Sequence, residues 1–240
     1  MANNTFERFE EKYLLTPAQH KAVMAGLRGK MQPDMFGRST VSSIYYDTED
    51  YSLIRASLEK PDYKEKLRIR SYGTTAEEST VFVELKKKVG GIVYKRRTEL
   101  PHAEANALLR GKRIHSDSQV TREIRYFLQL YQPGPRVLLS YRRVAYTGGE
   151  AGLRITFDDN IRFRLCALTL TAGSWGEELL PQGGMTLMEI KAPGAMPLWL
   201  CRLLNENGIY PTSFSKYGVC YRDHIAPRLK QAEKGYRVYA

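Results

Sequence analysis

Four short segments alternate charged and apolar residues: Leu67-Arg68-Ile69-Arg70, Val83-Glu84-Leu85-Lys86, Leu153-Arg154-Ile155-Thr156 and Met188-Glu189-Ile190-Lys191. Side chains alternate across an extended strand, so each segment sorts its charges onto one face and its apolar groups onto the other. Arg68 shares a face with Arg70, Glu84 with Lys86 and Lys88, Arg154 with Thr156 and Asp158, and Glu189 with Lys191. Gly90-Gly91 reads as a two-residue hairpin turn, which pairs Val89 with Ile92 and places Lys86 opposite Lys95 and Glu84 opposite Arg97. Two lysines directly opposite one another repel unless an anion lies between them. A solvated sheet face is the ordinary reading of such a pattern, but it normally mixes Thr, Ser, Gln and both charge signs. Arg and Lys recurring on strand after strand point instead to anion binding, with Glu84 and Glu189 as metal ligands or charge partners.

Carboxylates beside clustered Arg and Lys suit a divalent metal bridging phosphate oxygens while the cations neutralise the remaining charge. A phosphoanhydride therefore fits this face better than nucleic acid, which would call for exposed aromatics on which bases stack. The chain has 16 tyrosines, but Tyr45, Tyr46 and Tyr94 sit where strand packing uses them. No Walker or dinucleotide loop is present, and Gly90-Gly91 lies in a hairpin rather than ahead of a helix.

The elements that must position these groups alternate along the chain without linker, low-complexity tract or repeat, which predicts a single domain. After a short polar first element (Phe6 to Leu15), Thr16-Pro17-Ala18-Gln19 reads as an N-cap, a proline at the first helical position and a capping-box glutamine. That helix is expected to run to about Lys30. Strands are expected at Val41 to Tyr46, Glu65 to Tyr72, Thr80 to Val89, Ile92 to Leu100, Val137 to Tyr146, Leu153 to Phe157, Ile161 to Cys166 and Thr186 to Lys191. Helices are expected at Ala103 to Arg110, Gln119 to Tyr131, Met196 to Asn207 (ended by Gly208) and Ser215 to His224. The expected class is α+β: an antiparallel sheet of about eight strands, closed into a barrel with a cationic lumen and helices packed outside.

Composition is compatible with this. Against 26 Asp+Glu stand 37 Lys+Arg, a formal net charge of +11, with 42% hydrophobic residues. Such a chain is neither disordered nor collagenous, and its positive excess asks for an anionic partner. Three cysteines without C-x-x-C spacing argue against a zinc cluster or a disulfide framework, and a cytoplasmic setting is expected. No apolar run reaches the length of about 18 residues needed to span a membrane, and MANNTFERFEEKYLL carries no signal-peptide core.

With these segments in order, the sequence resembles the VTC domain, the polyphosphate polymerase module of the CYTH-like triphosphate tunnel metalloenzymes. The resemblance rests on Arg8-x-Glu10-x-Lys12-Tyr13, IYYDTEDYSLIR (Ile44 to Arg55), KLRIRSYG (Lys66 to Gly73) and VFVELKKKVGGIVYKRR (Val81 to Arg97). It continues through SYRRVAY (Ser140 to Tyr146), LRITFD (Leu153 to Asp158), MEIK (Met188 to Lys191) and SFSKYG (Ser213 to Gly218). Arg8 replaces the first glutamate of the superfamily's opening Glu-x-Glu-x-Lys, a departure that points away from a plain triphosphatase.

The resemblance implies an eight-stranded antiparallel tunnel in one domain, residues 1–240. In it the γ-phosphate of ATP passes to a growing polyphosphate with a divalent metal, Mn²⁺ or Mg²⁺. It implies catalytic roles for Arg68, Arg70, Lys86, Arg143, Arg154 and Lys216, and phosphate binding by Arg8, Lys12 and Ser215. Lys95, Arg97 and Lys191 join the phosphate-binding set mainly through facing. Glu189 is the implied metal ligand and Glu10 a second one. The implied partners are ATP and polyphosphate, with no nucleic acid, no transmembrane segment and a membrane protein as a further partner. Hydrolysis of tripolyphosphate or nucleoside triphosphates, or binding of polyphosphate without turnover, are the alternatives.

Other residues are read more plainly. Asp47, Glu49 and Asp50 are expected in a turn or cap, Lys87 and Lys88 in solvent, Trp175 and Trp199 in packing. All three cysteines are expected to be buried, and all four histidines at the surface. Arg162 and Arg164 share a face of undetermined side.

Overall fold

The computed structural model describes residues 8–148, 152–180 and 183–237, with side chains described for 10–148, 152–180 and 183–231. Nine strands and seven α-helices follow one another there. They are β1 (Arg8–Leu15), α1 (Pro17–Leu27), β2 (Gln32–Asp47), α2 (Ser52–Leu58), β3 (Tyr63–Tyr72), β4 (Thr80–Val89), β5 (Ile92–Pro101), α3 (His102–Leu109), α4 (Gln119–Tyr131) and β6 (Gly134–Thr147). Then come β7 (Arg154–Arg164), β8 (Glu177–Glu178), β9 (Thr186–Pro193), α5 (Leu198–Glu206), α6 (Lys216–Cys220) and α7 (Ala226–Arg237). A π-helical turn, Tyr221–Ile225, joins α6 to α7, so the helix expected to end near His224 continues to Arg237.

The pairs β1–β9, β9–β7, β7–β8, β2–β3, β3–β4 and β4–β5 are antiparallel, and the strands follow the path β1-β9-β7-β6-β2-β3-β4-β5, with β8 beside β7. The path ends at β1 and β5: among the described residues no hydrogen-bonded pairing joins these two strands.

The chain divides into two compact units. Unit 1 comprises Met1–Thr40, Tyr141–Ile161 and Leu180–Phe214, and unit 2 comprises Val41–Ser140, Arg162–Leu179 and Ser215–Ala240. Within unit 1, the apolar faces of β1 (Tyr13, Leu15), β7 (Ile155, Phe157) and β9 (Met188, Ile190) pack against Val23 and Leu27 of α1 and Leu200 and Leu204 of α5. Within unit 2, Leu67 and Ile69 of β3 and Val81, Val83 and Leu85 of β4 pack against Ala105 and Leu108 of α3 and Ile124 and Phe127 of α4. Each helical layer thus covers the oily face that strand parity assigns, which leaves the charged faces for other use.

Local signals explain the elements. Thr16 caps α1 with a reciprocal bond to Gln19, and Pro17 opens the helix. Gly90 and Gly91 both take positive φ (52° and 86°), the type of turn that fits a two-residue hairpin, and Val89 pairs with Ile92. Two expected strands, Leu153 to Phe157 and Ile161 to Cys166, are one strand, β7, running through Asp158-Asp159-Asn160. Asn160 takes φ 49° there, and asparagine tolerates the left-handed region better than most residues. Strand β2 begins well before the expected Val41, and the short α2 was not expected.

Candidate active site

On the charged face of unit 2, adjacent strands place side chains in rows. Lys66 pairs with Lys86 and Lys86 with Lys95; in the next row Arg68 pairs with Glu84 and Glu84 with Arg97; in the third Arg70 pairs with Phe82. Glu84 is the hub and is 2% exposed. Arg68 Nε donates to its Oε2 at 2.7 Å, with Arg70 Nη1 at 3.9 Å from the same oxygen. Arg97 Nε donates to Oε1 at 2.9 Å, and Lys95 Nζ lies 3.0 Å from it. Burial acts to protonate Glu84, but the charges of Arg68, Arg70 and Lys95 overcome it and hold the carboxyl well below the ordinary carboxylate range. Four cations on one carboxylate leave an excess of three positive charges, the chemistry of an anion site. Glu84 is therefore a charge partner: its oxygens are already committed to guanidinium and ammonium groups.

The same face carries an aromatic support. Tyr45 of β2 accepts from Arg68 Nη1 at 2.9 Å and stacks on Tyr217 of α6 with ring centroids 4.7 Å apart. Tyr217 donates to Asp47 Oδ2 at 2.8 Å. Asp47 also accepts the backbone N–H groups of Leu53 and Ile54, each at 3.0 Å, so it caps α2 as expected of the acidic cluster. Burial works to raise the Tyr45 hydroxyl, yet Arg68 and Arg70 pull it down to about 8. Ser215 precedes α6 and Lys216 is its first residue; Ser215 Oγ accepts from Lys66 Nζ at 3.4 Å.

On the charged face of unit 1, Glu10 pairs with Lys191 and Lys191 with Arg154, while Lys12 pairs with Glu189 and Glu189 with Thr156. Lys191 Nζ lies 2.7 Å from Glu189 Oε1 and 3.8 Å from Glu10 Oε2, and Lys12 Nζ donates to Glu10 Oε1 at 3.3 Å. Burial acts to raise Glu189, but Lys191, Lys12 and Arg143 hold it below its ordinary value. Arg143 clamps the buried Asp158 with two bonds, Nε to Oδ1 at 2.6 Å and Nη2 to Oδ2 at 2.7 Å. Arg154 turns aside to Asp34 Oδ2 at 2.8 Å.

A divalent cation's fit can be judged from these donors. Glu189 and Glu10 offer carboxylate oxygens, and the buried Thr156 Oγ1 beside Glu189 in register has no hydrogen-bond partner. Among the described residues no group of three or more His, Cys, Asp or Glu side chains could hold a metal alone. Oxygen donors from one or two carboxylates, completed by substrate phosphates and water, are the usual setting of Mg²⁺ and suit Mn²⁺ equally, so the residues fit a metal that arrives with a phosphate ligand.

The expected residues thus fall into two groups. Arg68, Arg70, Lys86, Lys95, Arg97, Ser215 and Lys216 belong to unit 2, and Glu10, Lys12, Arg143, Arg154, Glu189 and Lys191 to unit 1. Arg8 heads β1, but its side chain lies outside the described residues. Parity could have added Lys66, two residues before Arg68 on the same face. Asp158 as the partner of Arg143 and Asp34 as that of Arg154 are long-range pairings without a local signal.

Several plainer expectations are corrected. Arg162 and Arg164, whose side parity leaves undetermined, bond backbone carbonyls: Arg164 donates to the carbonyl oxygens of Ala167, Thr169, Gly173 and Trp175, and Arg162 to that of Gly176. Cys166 and Cys201 are exposed, and only Cys220 is buried. His102 is buried where α3 begins. Lys87 pairs with Glu65 at 3.2 Å, and Trp175 is half exposed under the Arg164 guanidinium.

The chain is 29% identical over 147 residues to vacuolar transporter chaperone complex subunit 4 of Schizosaccharomyces pombe, which is 51% of this chain and 20% of that protein. The aligned part therefore spans about a fifth of the relative's length. Two solved structures share the fold at low identity. One is a candidate adenylate cyclase from Bacillus halodurans (TM-score 0.55, 16% identity, 86% of this chain and 92% of that one). The other is a candidate adenylyl cyclase from Hippeastrum described as having a dominant triphosphatase activity (TM-score 0.51, 18% identity, 88% and 93%). The sequence model of the VTC domain matches residues 7–224, nearly the whole chain, and on that extent the protein belongs to the VTC domain family.

Proposed function

We propose that this protein is a metal-dependent polyphosphate polymerase that transfers the γ-phosphoryl group of ATP to the end of a growing polyphosphate, releasing ADP. The observation that carries the reading is the cation fan on Glu84: a buried carboxylate outnumbered four to one on the charged face of β3, β4 and β5. VTC family membership supports phosphate as the anion and transfer as the reaction. The closed basic tunnel, one catalytic domain over residues 1–240, a cytoplasmic location and a membrane-protein partner belong to the same reading. Among the described residues no helix is long and apolar enough to cross a membrane.

The terminal oxygen of a polyphosphate is already an anion, so its attack needs no general base. In-line positioning and neutralisation of the transferring phosphoryl group supply the acceleration. Arg68, Arg70, Lys86, Arg143, Arg154 and Lys216 take that role. Arg8, Lys12, Lys95, Arg97, Lys191 and Ser215 hold the remaining phosphates. The arginine fork matches pairs of nonbridging oxygens, while lysine supplies compact charge. Glu189 and Glu10, with the hydroxyl of Thr156, would hold Mn²⁺ or Mg²⁺. Held there, the ion would supply Lewis-acid neutralisation of phosphate charge. Lys191, Lys12 and Arg143 keep the Glu189 carboxylate ionised for it.

Hydrolysis is the second reading, favoured by the exposure of Lys86 and the half-exposed Lys95, which lets water reach that row. One experiment separates the readings: purified protein with ATP, Mn²⁺ and a short polyphosphate primer, following chain length and free phosphate together. Chain growth with ADP release supports polymerisation. Orthophosphate alone overturns it in favour of hydrolysis, and tight polyphosphate binding without either product leaves a binding module.

A further inference from the structure

The row Lys66–Lys86–Lys95 sets three ammonium side chains on neighbouring strands in register, an arrangement that is destabilising unless charge is compensated. Lys95 finds relief in Glu84, 3.0 Å away. Lys66 does not: its Nζ donates to the neutral Ser215 Oγ at 3.4 Å, and among the described residues no carboxylate lies within ion-pairing distance. Around it stand Lys64 and Arg68 on its own strand, Lys86 on β4, Tyr45 on β2 and Ser215 ahead of α6. At Lys66 itself an anion would meet the Ser215 hydroxyl and displace no carboxylate.

We propose that Lys66, Ser215 and Lys86 form one phosphate-binding subsite, and that Lys66 takes up a proton from solvent as a phosphate oxygen anion binds there. The proposal deepens the polymerase reading and rests on it. Proton balance is simple: the neutral amine plus one proton becomes the ammonium, while the phosphate contributes charge and forms no covalent bond. Without ligand, burial first, and then the charges of Lys64, Lys86 and Arg68, push Lys66 down to about 8, against a lesser opposing pull from Tyr45. A bound anion reverses the sign of that field and restores the charged form. Tyr45, itself pulled down to about 8, responds in the same direction, since an incoming anion disfavours its phenolate.

The test is calorimetric titration of the intact protein with tripolyphosphate at pH 8 in two buffers of different ionisation enthalpy. The difference counts protons taken up per ligand bound. The ligand's own terminal ionisation is common to every variant, so the uptake assigned to Lys66 is the difference between wild type and Lys66→Arg, which should be a substantial fraction of a proton. Lys66→Met should lose about tenfold or more in affinity and most of the uptake that remains in Tyr45→Phe. Lys66→Arg, which keeps the charge but does not titrate, should bind within a few-fold of wild type with the uptake cut. Unchanged affinity in Lys66→Met, or unchanged uptake in Lys66→Arg, overturns the proposal. Failure of wild type to bind tripolyphosphate at all overturns the polymerase reading instead.

Discussion

Replacing Glu84 by Gln keeps the shape of the side chain and removes the one carboxylate that four cations share. The amide keeps one acceptor oxygen and turns its N–H donors toward the other arginine, so one of the contacts at 2.7 and 2.9 Å breaks and all four cations lose the negative charge they share. Removing one partner of a buried ion pair typically costs about 3–5 kcal/mol. Arg70 is nearly as buried as Glu84, but Arg68, Arg97 and Lys95 are 23%, 32% and 49% exposed, so water screens part of their repulsion. The low end, about 3 kcal/mol, follows. For a chain of this size each kcal/mol moves the melting temperature by about 2–4 °C, giving a fall of about 6–12 °C. Differential scanning calorimetry with and without tripolyphosphate reads it. An anion at about one hundred times its Kd stabilises by about 2.7 kcal/mol, which should return most of the loss. A variant that melts within about 2 °C of wild type, or that tripolyphosphate fails to restore, would refute the view of Glu84 as counter-ion to a cationic phosphate site.

Acidification should tell the same story. Glu84 and Glu189 both sit below their ordinary values, so their stabilisation is fully present above the unfolded carboxylate value of about 4.3. It is lost as pH falls from there toward their folded values. The melting temperature should therefore hold from pH 7 to about 5 and drop below about 4.5, with a shallower acid limb in Glu84→Gln. Arg143→Met strands the buried Asp158 and should cost about 3–5 kcal/mol in urea unfolding, with much of the loss recovered when Asp158→Asn is added. Asp47→Ala removes the cap of α2 and the acceptor for the buried Tyr217 hydroxyl, and should cost about 2–4 kcal/mol by the same measurement. Glu189→Gln should abolish chain growth while tripolyphosphate binding, read by calorimetry, persists.

The charged faces were legible because strand parity and the Gly90-Gly91 turn are local rules. Together they place Lys86 opposite Lys95 and Glu84 opposite Arg97, as the register has it. The oily faces were legible for the same reason, and α1 and α4 followed from their caps and periodicity. What escaped depends on distance or on a residue's tolerance. Asp158-Asp159-Asn160 reads as a break between strands, yet β7 passes through it because Asn160 accepts a left-handed conformation. The early half of β2 contains Pro33 and Gly37 and exposes Met35 and Phe36, so nothing in its pattern announces a strand. Arg154 was placed on the right face, but its partner Asp34 lies 120 positions away and no spacing rule predicts the pair. Lys66 follows from parity alone, two residues before Arg68 on the same strand face.

A crystal structure with tripolyphosphate and Mn²⁺ bound tests the central claim most directly. Phosphate oxygens should lie against the charged strand face of unit 2, within hydrogen-bond distance of Arg68, Arg70 and Lys66. Tripolyphosphate held instead on the outer helices, with those side chains untouched, would contradict the account.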